Sequence, residues 1–305
     1  MIALTEIREL TIDQPEPGQG STYLSAASGL VCLGTTLYVV ADDALHLGIF
    51  PLTMPEPGRL VRLFDGVLPE EKAERKRRKP DLEALVHLPA FGAYPYGALL
   101  ALGSGSRKNR QRGVFLGLDA GGAVSGAPRV LDLAPFLAPL SGMFPDLNIE
   151  GAVIAGDELR LIQRGNKGRR DNAVVHYSLA QALHCLFGEN GSALLPSAIT
   201  RLDLGTIDGV ALGLTDATML PDGRMAVSAV AEDTEDAYRD GMCVGAAIGI
   251  VDASGHLVLL EQLERPYKVE GITVASVGGQ SELLLVTDAD DPAIPALLLS
   301  MPLFR

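Results

Sequence analysis

Along this 305-residue chain, acidic residues open a series of short apolar segments. Glu83 begins "LEALVHL", Glu150 "IEGAVIA", Asp216 "TDATML" and Glu270 "VEGITVA", and Ser28 takes the corresponding place in "ASGLVCL". If the fold gathers these positions, the carboxylates repel. Such crowding is tolerable when protons are shared, when a cation sits between the groups, or when a basic side chain intervenes. Hard oxygen donors favour Ca2+ or Mg2+ over softer metals. Asp42 and Asp288 end the following strand in their own units and could add ligands, whereas Arg164 falls at that place in its unit and could neutralise Glu150. Two other roles fit the same residues. They could bond backbone amides in tight turns, or Glu150 and Glu83 could serve as catalytic carboxylates. His46, shortly after Asp42 and Asp43, is the candidate general base.

The positive charge is concentrated as well. Roughly half of the 25 lysines and arginines fall in "ERKRRKPD" (74–81), "GSRKNRQR" (105–112) and "RGNKGRRD" (164–171). Arg107, Lys108, Arg164, Lys167 and Arg170 are candidates for holding an anionic substrate or ligand. Glycines in the last two stretches would let backbone amides point at a phosphate. Two alternatives stand beside this one. The runs could be solvated loops, or they could pair with the acidic "AEDTEDAYRDG" (231–241) and hold the region shut.

The elements that must position these residues form a repeat. "ASGLVCLGTTLYVVAD", "IEGAVIAGDELRLIQR" and "TDATMLPDGRMAVSAV" align position for position, and segments 82–104 and 269–288 match with a longer turn. Each unit reads as a β-hairpin followed by a third strand, and in four units by a fourth. The last unit lacks its fourth strand, while "IALTEIREL" stands spare at residues 2–10. Four-stranded sheets set radially bury both faces, and the spare strand can complete the last sheet and remove an edge. The expectation is an all-β, five-bladed β-propeller spanning 1–305, with six blades as the alternative and a short helix at 180–189. In that ring, Ser28, Glu83, Glu150, Asp216 and Glu270 circle the channel, and the three basic stretches emerge at the same mouth.

Composition sets outer limits. Hydrophobic residues make up 47% and charged residues 21%, a globular balance. A net charge of −13 argues against general nucleic-acid binding. The start "MIALTEIRELTIDQ" lacks a signal-peptide core, and no apolar run reaches membrane-spanning length, so a soluble, cytoplasmic protein is expected. Cys32, Cys185 and Cys243 form no CxxC pair and read as small buried hydrophobes. No GxSxG elbow, P-loop or HExxH helix occurs, and Ser104 reads as a packing residue.

The "LEAL", "IEGA" and "VEGI" starts, the "LLLVTDADD" strand and the basic inter-blade loops resemble phytase-like and esterase-like propellers, including gluconolactonase- and paraoxonase-type calcium propellers. The resemblance implies that Glu83, Glu150 or Glu270 ligates calcium. The Asn and Asp set and the His pair of those enzymes have no counterpart located in this chain. The expected function is a divalent-metal-dependent hydrolase of a phosphate ester or lactone at the channel mouth. The alternative is a non-catalytic module that binds an anionic ligand or an acidic protein partner.

Overall fold

The computed structural model of the chain describes residues 1–15, 20–166, 171–188, 193–233 and 241–304. After β1 (Thr5–Glu9) come five consecutive antiparallel units. Blade 1 is β2 (Ala27–Leu33), β3 (Thr36–Ala41), β4 (His46–Pro51) and β5 (Arg59–Arg62). Blade 2 is β6 (Leu82–Leu88), β7 (Ala98–Gly103), β8 (Arg112–Leu118) and β9 (Val124–Asp132). Blade 3 is β10 (Ile149–Ala155), β11 (Glu158–Gln163), β12 (Ala173–Ser178) and β13 (Ala198–Arg201). Blade 4 adds a fifth strand: β14 (Thr206–Ile207), β15 (Val210–Met219), β16 (Met225–Asp233), β17 (Met242–Val251) and β18 (Leu257–Gln262). Blade 5 is β19 (Val269–Val277), β20 (Gln280–Thr287) and β21 (Leu297–Pro302), and β1 completes it by pairing with β21. The inner strands β2, β6, β10, β15 and β19 each touch the next, and β19 touches β2, so the ring closes at five blades and not six.

Apolar burial follows the same geometry. One cluster of buried side chains fills each of the five gaps between neighbouring blades. Both faces of every sheet are therefore covered, which is what radial packing of short alternating strands provides. The gap between blades 2 and 3 also takes two helices, α2 (Ala134–Ser141) and α3 (Leu179–Phe187), with Phe136 packed on Tyr177 at a ring separation of 4.4 Å. The helix expected at 180–189 is thus present as α3, and α2 joins it between the blades. Among the described residues no helix is long and apolar enough to cross a membrane.

Why an acidic residue should so often precede glycine is answered at the ring itself. Each inner strand carries a bulge where it enters the channel, displacing Ser28, Glu83, Glu150, Thr215 and Glu270 from the ladder. The next residue faces the neighbouring blade at very short range. A Cβ on Gly271 would stand 2.4 Å from the Ser28 carbonyl oxygen, and one on Gly29 would stand 2.6 Å from the Leu85 nitrogen. Glycine is needed there because backbone meets backbone. In blade 4 the position holds Asp216, which replaces close approach with a hydrogen bond: its Oδ2 accepts the Ile272 N–H at 2.9 Å.

This register corrects one expectation. The symmetry mate of Glu150 is Thr215, not Asp216. Only two residues separate paired Ala155 and Glu158 in blade 3, while five separate Met219 and Met225 in blade 4. An ungapped alignment over that longer turn slips by one residue.

Candidate functional site at the channel mouth

A second tier stands beside the ring residues. Two residues earlier stand Ala26, Asp81, Asn148, Gly213 and Lys268; across the ladder from these stand Asp42, Ser104, Arg164, Val230 and Asp288. The same backbone bond repeats in four blades: Asp42 N–H to Ala26 O, Ser104 to Asp81, Arg164 to Asn148 and Asp288 to Lys268. Gly213 pairs with Val230 in the fifth. The tiers surround a polar cavity of about 350 Å³ at the channel mouth.

The approach to blade 2 is a helix and not the loop expected. Glu71 caps α1 (Lys72–Arg78) by accepting the Ala73 and Glu74 N–H groups, both at 2.9 Å. Pro80 forces the residue before it out of the helix, and Lys79 is extended. Asp81 follows at φ 59°, a left-handed conformation costly for a residue with a Cβ. The turn sends both side chains inward. Lys79 Nζ contacts Asp42 Oδ2 and lies 3.0 Å from Asp81 Oδ1. The Ser104 hydroxyl donates to Asp81 Oδ2 at 2.5 Å, and Arg110, from a 3-10 turn at Lys108–Arg110, lies 2.9 Å from the same oxygen.

On the opposite side Arg164 reaches across blade 4 to Glu232 at 2.8 Å, and lies 3.6 Å from Glu150 and 3.8 Å from Glu270. Gly213 leaves the room: a Cβ there would stand 3.1 Å from the arginine's Cγ and Nε. Lys268 lies 2.6 Å from Asp290, 3.1 Å from Glu232, 3.4 Å from Glu270 and 3.7 Å from Asp288. Asn148 Nδ2 donates to Glu150 Oε1.

Glu83 differs. Among the described residues it has no hydrogen bond or ion pair, although it lines the cavity beside Glu150. Burial, then Glu150, Asp81 and Asp42, hold its carboxyl well above the usual range. Burial pushes Glu150 up to about 8, with Glu270 and Asp81 adding to the rise and Arg164 and Lys268 opposing it. Glu270 and Asp288 are raised for the same first reason. Burial works against the charges of Lys79, Arg164 and Lys268, and the surrounding carboxylates overcome it and hold all three above their usual values. Glu270 Oε2 is buried without a hydrogen-bond partner among the described residues.

The structure brings together Asp42, Glu83, Glu150, Glu270, Asp288, Arg107 and Arg164 around this cavity. Arg107 is exposed, and its side chain has no hydrogen bond or ion pair among the described residues. Asp216 is buried beside Gly151, outside the cavity lining, and burial holds its carboxyl well above the usual range. His46 is buried at the head of a third strand and lines neither this cavity nor its neighbour. Lys108 is exposed and also outside the lining. Lys167 and Arg170 lie outside the described residues. Sequence reasoning passed over Asp81, Lys268 and Asp290, and reached Glu232 only as part of the acidic 231–241 stretch offered as a partner for the basic runs, a pairing that the Arg164–Glu232 contact realises. The signal for the first two was available, since both stand two residues before the ring position, as Asn148 does.

Solved structures similar to this chain are β-propellers that include enzymes. Glutaminyl cyclase of Myxococcus xanthus matches with a TM-score of 0.50 at 11% identity, over 98% of this chain and 96% of that one. A luciferin-regenerating enzyme matches at 0.44 and 10% identity, over 99% and 95%. An alpha-L-arabinofuranosidase of Fusarium graminearum matches at 0.43 and 10% identity, over 97% of both. At these identities the likeness is one of fold alone. No curated protein matches the sequence. A family pattern does match, across residues 23–303, and the chain belongs to that family, DUF6929, a family of unknown function.

Proposed function

We propose that the channel mouth is the active site of a hydrolase acting on an anionic phosphate ester or a lactone. One observation carries the reading: the Glu83 side chain lines the cavity with no hydrogen bond or ion pair among the described residues, and Glu150, which burial also keeps inclined to hold a proton, lines the same cavity and acts on its charge. Two carboxyls in that state supply one acceptor for the proton of an attacking water and one donor for the leaving oxygen. Asn148 and Arg164 orient Glu150. Arg107 is placed to hold the anionic group, since the guanidinium of Arg164 is already shared among three carboxylates.

A divalent cation fits the donor chemistry. Asp42, Asp81 and Glu83 each bring one oxygen within 4.8 Å of the others, a hard set suited to Ca2+ or Mg2+. Glu150, Glu270 and Asp288 line the same cavity. Lys79 lies on Asp42 and Asp81, so its ammonium and the ion would compete for those two oxygens. When bound, the ion would polarise a substrate oxygen and lower the pKa of a coordinated water.

The test is hydrolysis of a panel of phosphomonoesters and lactones, with Ca2+, Mg2+ or chelator, by the wild type and Glu83→Gln. Turnover that falls by at least about 10²-fold in the variant is expected. A melting temperature raised by either ion supports the metal site. Absence of turnover under every condition ends the hydrolase reading. The second reading, a non-catalytic module for an anionic ligand or acidic partner, draws on the extent to which Lys79, Arg110, Arg164 and Lys268 already neutralise the mouth. It predicts salt-sensitive binding at Arg107 without turnover.

A further inference from the structure

Helix α1 stands between two spaces. A second cavity, of about 420 Å³, lies above the junction of blades 1 and 5, and Lys76 and Lys79 line both it and the channel mouth. The helix that parts them has no apolar anchor. It buries no side chain, and Ala73, its one apolar residue, is exposed. The core grips the chain at Leu68 before the helix and at Leu82 after it, both packed in the cluster between blades 1 and 2. Seven residues are too few to hold a helix unaided.

Polar contacts hold it instead, and they come from both sides. Toward blade 1, the Arg75 guanidinium donates to the Asp43 carbonyl at 2.7 Å and to Asp43 Oδ2 at 3.2 Å. Toward blade 2, the Asn109 side chain donates to the Arg77 and Lys79 carbonyls at 3.1 and 3.4 Å, and Arg110 donates to the Lys76 carbonyl at 3.0 Å. The remaining tie is the Lys79 ammonium on Asp42 and Asp81. Those two carboxylates, with Glu83, are also the oxygen set suited to a divalent cation. The same oxygens cannot serve both charges at once. Withdrawing Lys79 without replacement leaves buried carboxylates uncompensated, which is costly. Docking of the helix and filling of the site from solution therefore oppose each other through one shared position.

We infer that α1 is a detachable wall whose release exchanges the Lys79 ammonium for a cation from solution. Release also removes the partition that Lys76 and Lys79 form between the two spaces. The inference rests on the cation element of the proposed function and not on turnover.

The probe is Ca2+ alone, followed by calorimetry and by amide hydrogen exchange. In the wild type, saturating Ca2+ speeds exchange of the amides at 75–79 by at least about fivefold and leaves those of Ala98–Gly103 unchanged. Asn109→Ala, an exposed change outside the oxygen set, and Arg75→Met each weaken docking by one or two net hydrogen bonds. Each tightens Ca2+ binding by about five- to tenfold. In Lys79→Met the competing charge is gone, so Ca2+ binds more tightly than in the wild type, and adding Asn109→Ala changes the affinity no further. Equal Ca2+ affinity in the wild type, Asn109→Ala and Arg75→Met overturns the inference and leaves the metal site standing. Bound Ca2+ with the helix amides equally protected does the same. If Ca2+ binds neither the wild type nor Lys79→Met, the cation element of the proposed function falls and this inference falls with it.

Discussion

On the blade 1 and 2 side of the mouth, Lys79 and Arg110 face two carboxylates, Asp42 and Asp81. On the blade 3 to 5 side, Arg164 and Lys268 face five: Glu150, Glu232, Glu270, Asp288 and Asp290. The first side is balanced and over-determined, since Asp81 also takes the Ser104 hydroxyl. The second carries a surplus of negative charge in a buried setting, which protons or a cation must relieve. Glu83 lies on the seam and is influenced by Lys79 on one side and Glu150 on the other. A site divided this way keeps one wall fixed and leaves the demand for protons on the other.

The largest effect should come from breaking the overloaded side. Arg164→Met leaves Glu150, Glu232 and Glu270 to share a single remaining cation, Lys268, which contacts only two of them. Removing one partner of a buried pair costs about 3–5 kcal/mol, and the upper end is expected here in urea unfolding. Lys79→Met should fall at the lower end, because Asp81 keeps Arg110 at 2.9 Å and Ser104 at 2.5 Å. If the lysine variant proves the less stable of the two, the asymmetry between the sides is wrong.

What could be read from the sequence follows what is local. Hairpins, blade count and the closing strand at residues 5–9 are written in alternation and turn residues close together in the chain. Four of the five ring positions were readable for the same reason, because the bulge and its following small residue are adjacent. Blade 4 was not, since its longer turn shifts the register and Thr215 carries no charge to announce it. Strand order also gives height along the axis but not distance from it. His46 follows the mouth-lining Asp42 closely in the chain, yet it begins a third strand and does not line the channel cavity. The counter-charges were legible only as runs: the basic 164–171 and acidic 231–241 stretches read as possible partners, without the individual contacts. Arg164 meets Glu232 at a separation of 68 residues, and the glycine that opens its route, Gly213, belongs to a different blade. Helix α1 looked like a solvated basic loop because Ala73 is its one apolar residue; a cap at Glu71 and a stop at Pro80 define it instead.

An intermediate effect should appear in the pH dependence of stability. Glu150 has a folded value of about 8, above the 4.5 of a free glutamate. Between those values the native state holds more protons than the unfolded chain, so stability falls as pH rises from about 4.5 to about 8. The slope from one such group is on the order of 1 kcal/mol per pH unit. Glu150→Gln removes that contribution. Its unfolding free energy, measured from pH 5 to pH 8.5, should decline less steeply than the wild type's, and the two curves should diverge toward high pH. Parallel curves would place the titrating group elsewhere.

The smallest effect, and the one that separates chemistry from architecture, concerns the seam. Glu83 makes no hydrogen bond or ion pair among the described residues, so replacing it with glutamine breaks no contact, while the repulsion from Glu150, Asp81 and Asp42 disappears. Glu83→Gln should therefore raise stability, by about 1 kcal/mol, in the same measurements that detect losses elsewhere at the mouth. A carboxylate held for architecture would behave in the opposite way, since its removal would break a contact that the blades need. Stabilisation at Glu83 combined with lost turnover is the signature of a residue kept in an unfavourable place for its reactivity. Destabilisation there would mean that the carboxylate serves the blades and that the reactive group must be sought on the overloaded side.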